Sequence, residues 1–265
     1  MLLVFDIGNT NIKIALFDGN AIVREWRIGT DIKKTGDEYL PILVALFRDE
    51  DMDLKRVNGA VLSSVVPPLT GPFVTVIRYI TGKKPLVIAP EMYGILPVTV
   101  PVPAVHEIGT DLLCNALEAW CRYGKAAIVV DFGTALSFTA VAADGMISGI
   151  AIAPGMGTAV KALFMNTAQL PAVPLEIPVS SLGTSTVESI QAGVVLGYKC
   201  LVEGLVGRMK NDLAVKTDIS SSDICVVATG GLNSMLQPVI QGFDVFDGQL
   251  TLYGLHRAAV FSGLQ

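Results

Sequence analysis

The sequence predicts an α/β protein of two mixed domains, each a sheet that opens with a meander and carries flanking helices, with a cleft between them. Three observations lead there. A unit of strand, acidic turn, strand, Asp-Gly turn and strand stands at the start of the chain and returns from residue 126. Helical patterns follow each copy, and helices laid on a sheet bury both kinds of apolar face. The chain's 265 residues suffice for two modest domains with a core apiece.

The first copy runs from "LLVFDIGNTNIKIALFDGN" into "AIVREWRI". A short apolar run bounded by turn residues reads as a buried strand. Asp18-Gly19 between two such runs is a hairpin signal, because Gly supplies the positive φ that a tight turn needs. The second copy, residues 126–153, reads "AAIVVDFGTALSFTAVAADGMISGIAIA". Its spacing from acid to Asp-Gly differs from the first by a single residue, which marks duplicated architecture. Further strands are expected at "GAVLSSVV", "PLVIAP" and "ICVVATGG", and helices over Asp37–Arg48, Leu69–Thr81, Asp111–Tyr123, Gly157–Phe164 and Thr186–Asn211. Pro-rich "LPVTVPVPAV" can only be an extended connection. The second domain begins near Gly124, which divides the chain into 1–123 and 124–265.

Apolar residues make up 51% of the chain and charged ones only 16%, so a membrane span has to be considered. A span needs ~20 mostly apolar residues. The uncharged stretches Val57–Ile77 and Gly145–Val160 are broken by Gly and Pro, so the apolar excess is assigned to buried strands and a subunit interface, with no membrane partner. No basic segment precedes the apolar start, so no signal peptide is expected. Cys114, Cys121, Cys200 and Cys225 lack CxxC spacing and read as small hydrophobes in a reducing cytoplasm. A net charge of -5 without a Lys/Arg cluster argues against nucleic acid as a partner.

Two loops carry the chemistry. In "DIGNTN", Gly8 permits a tight turn whose backbone N–H groups can face an anion, and Asn9, Thr10 and Asn11 add side-chain donors. Asp6 would repel a bare phosphate, and fits if Mg²⁺ accompanies the phosphates. A plain Asx turn in a hairpin accounts for the same residues. "DFGTALS", Asp131–Ser137, repeats strand, acid, glycine and hydroxyl. Two such loops in matching positions could grip a polyphosphate from both sides of the cleft.

Four more motifs carry weaker signals. "ATGGLN" places Gly230 and Gly231 after a strand, where a nucleotide's adenosine part could approach the backbone, or where the chain simply turns into a helix. In "HEIGTDLLCNAL", Asp111 reads either as an N-cap or as a general base. Pro154-Gly155 marks a turn before a helix. In "LGTSTVESIQAG", Thr184 or Ser185 before Glu188 forms a capping box, and Thr186 could touch a substrate. The sequence contains no GxSxG elbow, His-based metal spacing, Walker lysine loop or GxGxxG.

The paired phosphate loops and the Gly-Gly loop resemble the acetate and sugar kinase, Hsc70 and actin superfamily. Within it the chain resembles the type III pantothenate kinases: "DIGNTN", "SSVVPP", "GTD", "VVDFGTA", "IAPGMGTAVKAL", "NTAQLPAV", "GTSTVESIQAGVVLG" and "ATGGLN" follow that family's order. The resemblance implies two ribonuclease H-like, actin-like ATPase domains around a central cleft. It also implies phosphorylation of the primary hydroxyl of pantothenate by ATP, the first step toward coenzyme A, in a cytoplasmic homodimer. Asp6 to Lys13 would form the first phosphate loop, with Asp6 positioning Mg²⁺. Gly133 and Thr134 would meet ATP phosphate, Gly230 and Gly231 the nucleotide. Asp111 would take the hydroxyl proton, with Gly109, Thr110, Leu112 and Thr186 around the substrate. Asp131 would bind the family's monovalent cation, K⁺ or NH₄⁺. The family usually reads Gly-x-Asp-Arg, and Leu112 stands at the Arg position. By spacing, Val102 occupies the place of an upstream substrate-contacting Tyr, with Tyr93 able to reach in if the loop is threaded differently. Those departures leave two alternatives in view: a kinase of another small hydroxyl acceptor, and a catalytically weak nucleotide-binding paralog with a regulatory role.

Overall fold

The computed structural model describes residues 1–49, 56–167, 170–231 and 236–264. The chain divides into two units, Met1–Glu118 with Leu250–Gln265, and Ala119–Gln249.

In the first unit, β1 (Leu2–Ile7), β2 (Asn11–Asp18) and β3 (Ala21–Gly29) form the expected meander. Gly19 makes the β2–β3 turn at φ +56°. The chain then forms α1 (Gly36–Asp49), β4 (Gly59–Ser64), α2 (Pro67–Thr81), β5 (Leu86–Val87) and α3 (Thr110–Tyr123). The strand order is β3-β2-β1-β4-β5, with β1 antiparallel to β2 and parallel to β4. A central strand is covered on both faces, which explains the unbroken apolar run at its start.

Alternation along these strands decides what each face carries. Leu3, Phe5 and Ile7 of β1, with Ala60 and Leu62 of β4, join Tyr39, Leu43, Phe47 and Phe73 from α1 and α2 in one core. The intervening residues, Val4 and Asp6 on β1 and Val61 and Ser63 on β4, therefore face the opposite side.

The second unit repeats the plan. β6 (Ala127–Phe132), β7 (Ala135–Val141) and β8 (Ile147–Pro154) form its meander, followed by α4 (Met156–Asn166), α5 (Thr186–Gln191), α6 (Gly197–Thr217), β9 (Cys225–Gly230) and β10 (Val245–Phe246). Its strand order, β8-β7-β6-β9-β10, matches that of the first sheet position for position. Ile128, Val130, Phe132, Leu136, Phe138, Val226 and Ala228 lie in the core with Val194, Val202 and Val206, which leaves Asp131, Ser137 and Thr229 on the other face.

A five-residue π-helical turn, Ala192–Leu196, joins α5 to α6. The resulting helix, Thr186–Thr217, is long and apolar enough to cross a membrane, a stretch that the sequence reading did not single out. Its Val202, Val206 and Leu213 are buried in the unit's core, and Lys199 pairs with Glu203 at 2.7 Å midway along it.

The last helix, α7 (Leu250–Phe261), was not expected from sequence, and it counts with the first unit although residues 124–265 were expected to form one domain. Phe17 of β2 stacks on His256 at 4.2 Å and meets Tyr253 edge-on. Arg257 pairs through two nitrogens with the buried Glu118 carboxylate of α3, and Thr251 Oγ1 donates to Asn115 Oδ1 at 2.8 Å. The division also falls inside α3, between Glu118 and Ala119, five residues before the boundary expected near Gly124.

The helices α3 and α7 cross so closely that a Cβ on Gly254 would overlap the Cys114 carbonyl. Gly254→Ala is therefore expected to destabilise the protein by about 1–3 kcal/mol in urea titrations, because well-packed backbone must shift. The control Gly204→Ala, in open space on α6, should instead stabilise by about 0.5–1 kcal/mol.

Candidate active site

Asp6 occupies the penultimate position of β1, opposite Lys13 on β2 and beside Ser63 on β4. The chain then turns at Gly8, whose N–H donates to Asn11 O at 3.0 Å. Thr30 clasps the turn from outside: its Oγ1 donates to Gly8 O at 2.7 Å and its N–H to Thr10 O at 3.0 Å. Asn9, Thr10 and Asn11 are exposed at the tip. A β-hairpin alone would not need this clasp; it holds an exposed, donor-rich loop in one shape.

The base candidate stands on the same face of the first sheet. Helix α3 begins at Thr110, so Asp111 lies in its first turn and is not its N-cap. Asp111 Oδ1 accepts from Leu112 N–H at 2.9 Å, and Gly109 is needed because a Cβ there would collide with that carboxylate oxygen. Burial raises the Asp111 pKa above the usual carboxylate range, against the lowering effect of its backbone hydrogen bonds. Nearby Cys114 is fully buried, and its thiol is pushed well up by desolvation, with Asp6 and Asp111 adding to the shift.

Leu112 itself is only 8% exposed. Its side chain belongs to the apolar interior, and its backbone N–H is what serves the carboxylate. Tyr93, on a 3₁₀ turn spanning Pro90–Ile95, is buried, and its hydroxyl has no hydrogen-bond partner among the described residues. Burial, with Cys114, Asp111 and Glu91 nearby, pushes its pKa up to about 12. The Tyr93 hydroxyl is thus a protonated donor in the neighbourhood of Asp111. Spacing favours Val102 for the upstream tyrosine's place and leaves Tyr93, 18 residues before Asp111, to a different threading; the fold brings Tyr93 near Asp111.

The second unit repeats the acidic corner. Asp131 is opposite Ser137 on β7 and beside Thr229 on β9, as Asp6 is opposite Lys13 and beside Ser63. Gly133 N–H donates to Ala135 O at 3.0 Å, and Thr134 O accepts from Gly155 N–H at 2.9 Å and from Thr158 Oγ1 at 2.7 Å. Gly230 adopts φ +93°, and a Cβ there would strike the Asp131 carboxylate and the Phe132 backbone. Gly231 is exposed; Leu232 and Asn233 of the same motif lie outside the described residues. Thr229 is fully buried, and its hydroxyl has no hydrogen-bond partner among the described residues.

Thr186 belongs to the second unit. It opens α5 behind the N-cap Ser185, whose Oγ accepts from Glu188 N–H at 3.2 Å, while Glu188 reaches back to Thr184 N–H at 2.8 Å. The capping reading of this motif therefore describes its structure. Exposed Thr186 also lines an open groove of about 700 Å³ with Leu163, Thr184, Ser189 and Ile190.

The donors present suit hard cations. Among the described residues no three His, Cys, Asp or Glu side chains form a cluster that would cage a divalent ion. Asp6 alone beside a phosphate-facing loop is the arrangement expected for an ion bound mainly by phosphates and water. At Asp131, a carboxylate flanked by two buried hydroxyl residues, one with its oxygen unpartnered, supplies oxygen ligands for a cation.

Comparison with known proteins gives a consistent picture. The family model described as type III pantothenate kinase matches residues 2–208. A type III pantothenate kinase of Moorella thermoacetica is 42% identical over 96% of this chain and 97% of its own length. One from Thermomicrobium roseum is 41% identical over 97% and 96%. Among solved structures, a conserved Campylobacter jejuni protein of the Baf family aligns with a TM-score of 0.60 at 16% identity, covering 98% of both chains. Component A of the Acidaminococcus fermentans (R)-2-hydroxyglutaryl-CoA dehydratase aligns at 0.52 with 15% identity, covering 98% of this chain and 96% of its own. These two likenesses concern the fold alone.

The raised pKa of Asp111 has a stability consequence. A carboxyl whose folded pKa exceeds its unfolded value contributes stability only at low pH and loses it as pH rises through the folded pKa. Ionised Asp111 therefore costs stability at neutral pH. Asp111→Asn should raise Tm at pH 7–8, and the gain should vanish on acidification below about pH 4, where the carboxyl is protonated in both states. Paired thermal melts across pH check this.

Proposed function

The chain belongs to the type III pantothenate kinase family and is a pantothenate kinase, and from that premise we propose how its residues carry the reaction. The acceptor is the primary hydroxyl of pantothenate and the donor is ATP, giving 4′-phosphopantothenate on the way to coenzyme A. The observation that supports this assignment best is Asp111: a desolvated carboxylate at the start of α3, on the same sheet face as Asp6. Phosphoryl transfer demands alignment and charge neutralisation more than covalent help. An ionised aspartate beside the hydroxyl orients it and accepts its proton, and desolvation makes that carboxylate a better base.

The other roles follow from placement. Gly8, Asn9, Thr10, Asn11 and Lys13 meet phosphate oxygens from the clasped loop, and Gly133 and Thr134 do so from its counterpart. Gly230 and Gly231 leave backbone open to the nucleotide. Mg²⁺ bound with ATP neutralises phosphate charge, with Asp6 as its protein ligand. Asp131 takes the monovalent cation, K⁺ or NH₄⁺. Gly109, Thr110 and Leu112 shape the substrate side through backbone and small groups, and Thr186 contacts substrate from its groove. Tyr93 joins this set: a buried hydroxyl without a partner costs about 1–3 kcal/mol, a cost relieved if a substrate oxygen accepts from it. Exposed Ile152, Phe164, Met165, Val179 and Leu182 on the second unit support a homodimer. The four cysteines are free, in keeping with a cytoplasmic enzyme.

Asp111→Asn should lower kcat with pantothenate by about 10²–10⁴-fold while ATP affinity, measured by calorimetry, changes little. A fully active variant would remove Asp111 from the role of base. Tyr93→Phe should raise KM for pantothenate about tenfold and leave KM for ATP unchanged, the size expected for one lost hydrogen bond. Steady-state kinetics with each substrate varied in turn separates the two effects.

A further inference from the structure

We infer that Ser63 is a positioning residue that fixes the base Asp111 relative to the phosphate-loop acid Asp6. In the sequence Ser63 opens the "SSVVPP" motif and is given no role of its own. It is fully buried, yet its hydroxyl is not idle: Ser63 Oγ lies 2.7 Å from Thr110 Oγ1, the first residue of α3. In the sheet, Ser63 stands beside Asp6 in the parallel β1–β4 register, and alternation puts both on the face opposite the α1–α2 core. A single line of contacts therefore runs from Asp6, through its strand neighbour Ser63, across one hydrogen bond to Thr110, and along one peptide unit to Asp111.

The tie matters because of what precedes α3. Residues 97–109 are a proline-containing connection with a 3₁₀ turn at Val102–Ala104, and Gly109 adds backbone freedom at the helix entry. Such a lead-in does not itself set where the helix begins. The Ser63–Thr110 bond joins that beginning to the rigid end of β4. Catalytic groups lose about 10²-fold in rate for displacements near 1 Å, so this bond acts on kcat more than on binding.

The duplicated unit shows what happens without such a tie. Thr229 holds the position beside Asp131 that Ser63 holds beside Asp6, and its hydroxyl has no hydrogen-bond partner among the described residues. The hydroxyl at this sheet position is common to both units, and among the described residues that of the first unit bonds to the opening residue of a helix whose second residue is an acid.

This inference rests on Asp111 as base, and its test separates the two. Ser63→Ala, Thr110→Val, their double variant and Asp111→Asn are assayed with ATP and pantothenate, and folding is followed by thermal melts. Ser63→Ala is expected to lower kcat ~10-fold or more with KM for ATP unchanged. Thr110→Val, which keeps the shape and loses the hydroxyl, should do the same, and the double variant should be no slower than the slower single one, because both remove one bond. In the Asp111→Asn background, Ser63→Ala should leave the residual rate unchanged. A full kcat in either single variant, or losses that multiply in the double variant, overturns the positioning role. If Ser63→Ala fails to fold, Thr110→Val alone decides by the same kcat criterion. An active Asp111→Asn overturns the base assignment itself, whatever Ser63 does.

Discussion

An ionised carboxylate cannot be sealed among apolar side chains, yet β1 and β6 are central strands and each carries an aspartate one residue from its end. Much of the arrangement of both sheets answers that difficulty. The acid lies on the face away from the main core, a hydroxyl residue sits beside it on the parallel neighbour, and a glycine turn follows at once to open the strand end. Where the backbone must come close, glycine is required: Gly230 touches the Asp131 carboxylate, and Gly109 gives way to that of Asp111. The position of charge thus governs where side chains are omitted.

The same constraint explains why function and stability pull apart at Asp111. Its carboxylate accepts a backbone hydrogen bond from Leu112, which offsets only part of the desolvation that raises its pKa. A fold optimised for stability alone would place a neutral group there. The expense is offset elsewhere in the first unit, by the aromatic core around Phe5, Tyr39 and Phe73 and by the Arg257–Glu118 pair that fastens α7 to α3.

The two meanders, their Asp-Gly turns and the duplication were legible because strand and turn signals are local and because each was written twice. The two acidic corners, at Asp6 and at Asp131, could be read from those signals. The rest depends on contacts between distant segments. Helix α7 escaped notice because Leu250, Thr251, Leu252, Gly254, Leu255, His256, Ala258 and Ala259 are all buried, so no polar stripe sets off an apolar one. In the sequence Tyr93 is in view only as an alternative to Val102, and Ser63 only as part of "SSVVPP", since the meaning of both lies in what α3 brings to them. Asp111 reads from sequence as either a cap or a base, and the helix start at Thr110 removes only the cap reading. Leu112 drew attention as a missing arginine, whereas the fold makes it an interior residue whose amide supports the neighbouring acid.

The discontinuous first unit also bears on the order of synthesis. On the ribosome the segment Ala119–Gln249 emerges as one continuous stretch, whereas Met1–Glu118 waits for the final residues of the chain before α7 arrives. Domains fold as units as they leave the ribosome. Until Leu250–Phe261 has been made, Phe17 lacks the His256 ring that stacks on it and the Glu118 carboxylate lacks Arg257. A chain interrupted before Leu250 would therefore leave the first unit without α7, so synthesis of that helix after the whole of Ala119–Gln249 is the step that completes the first unit.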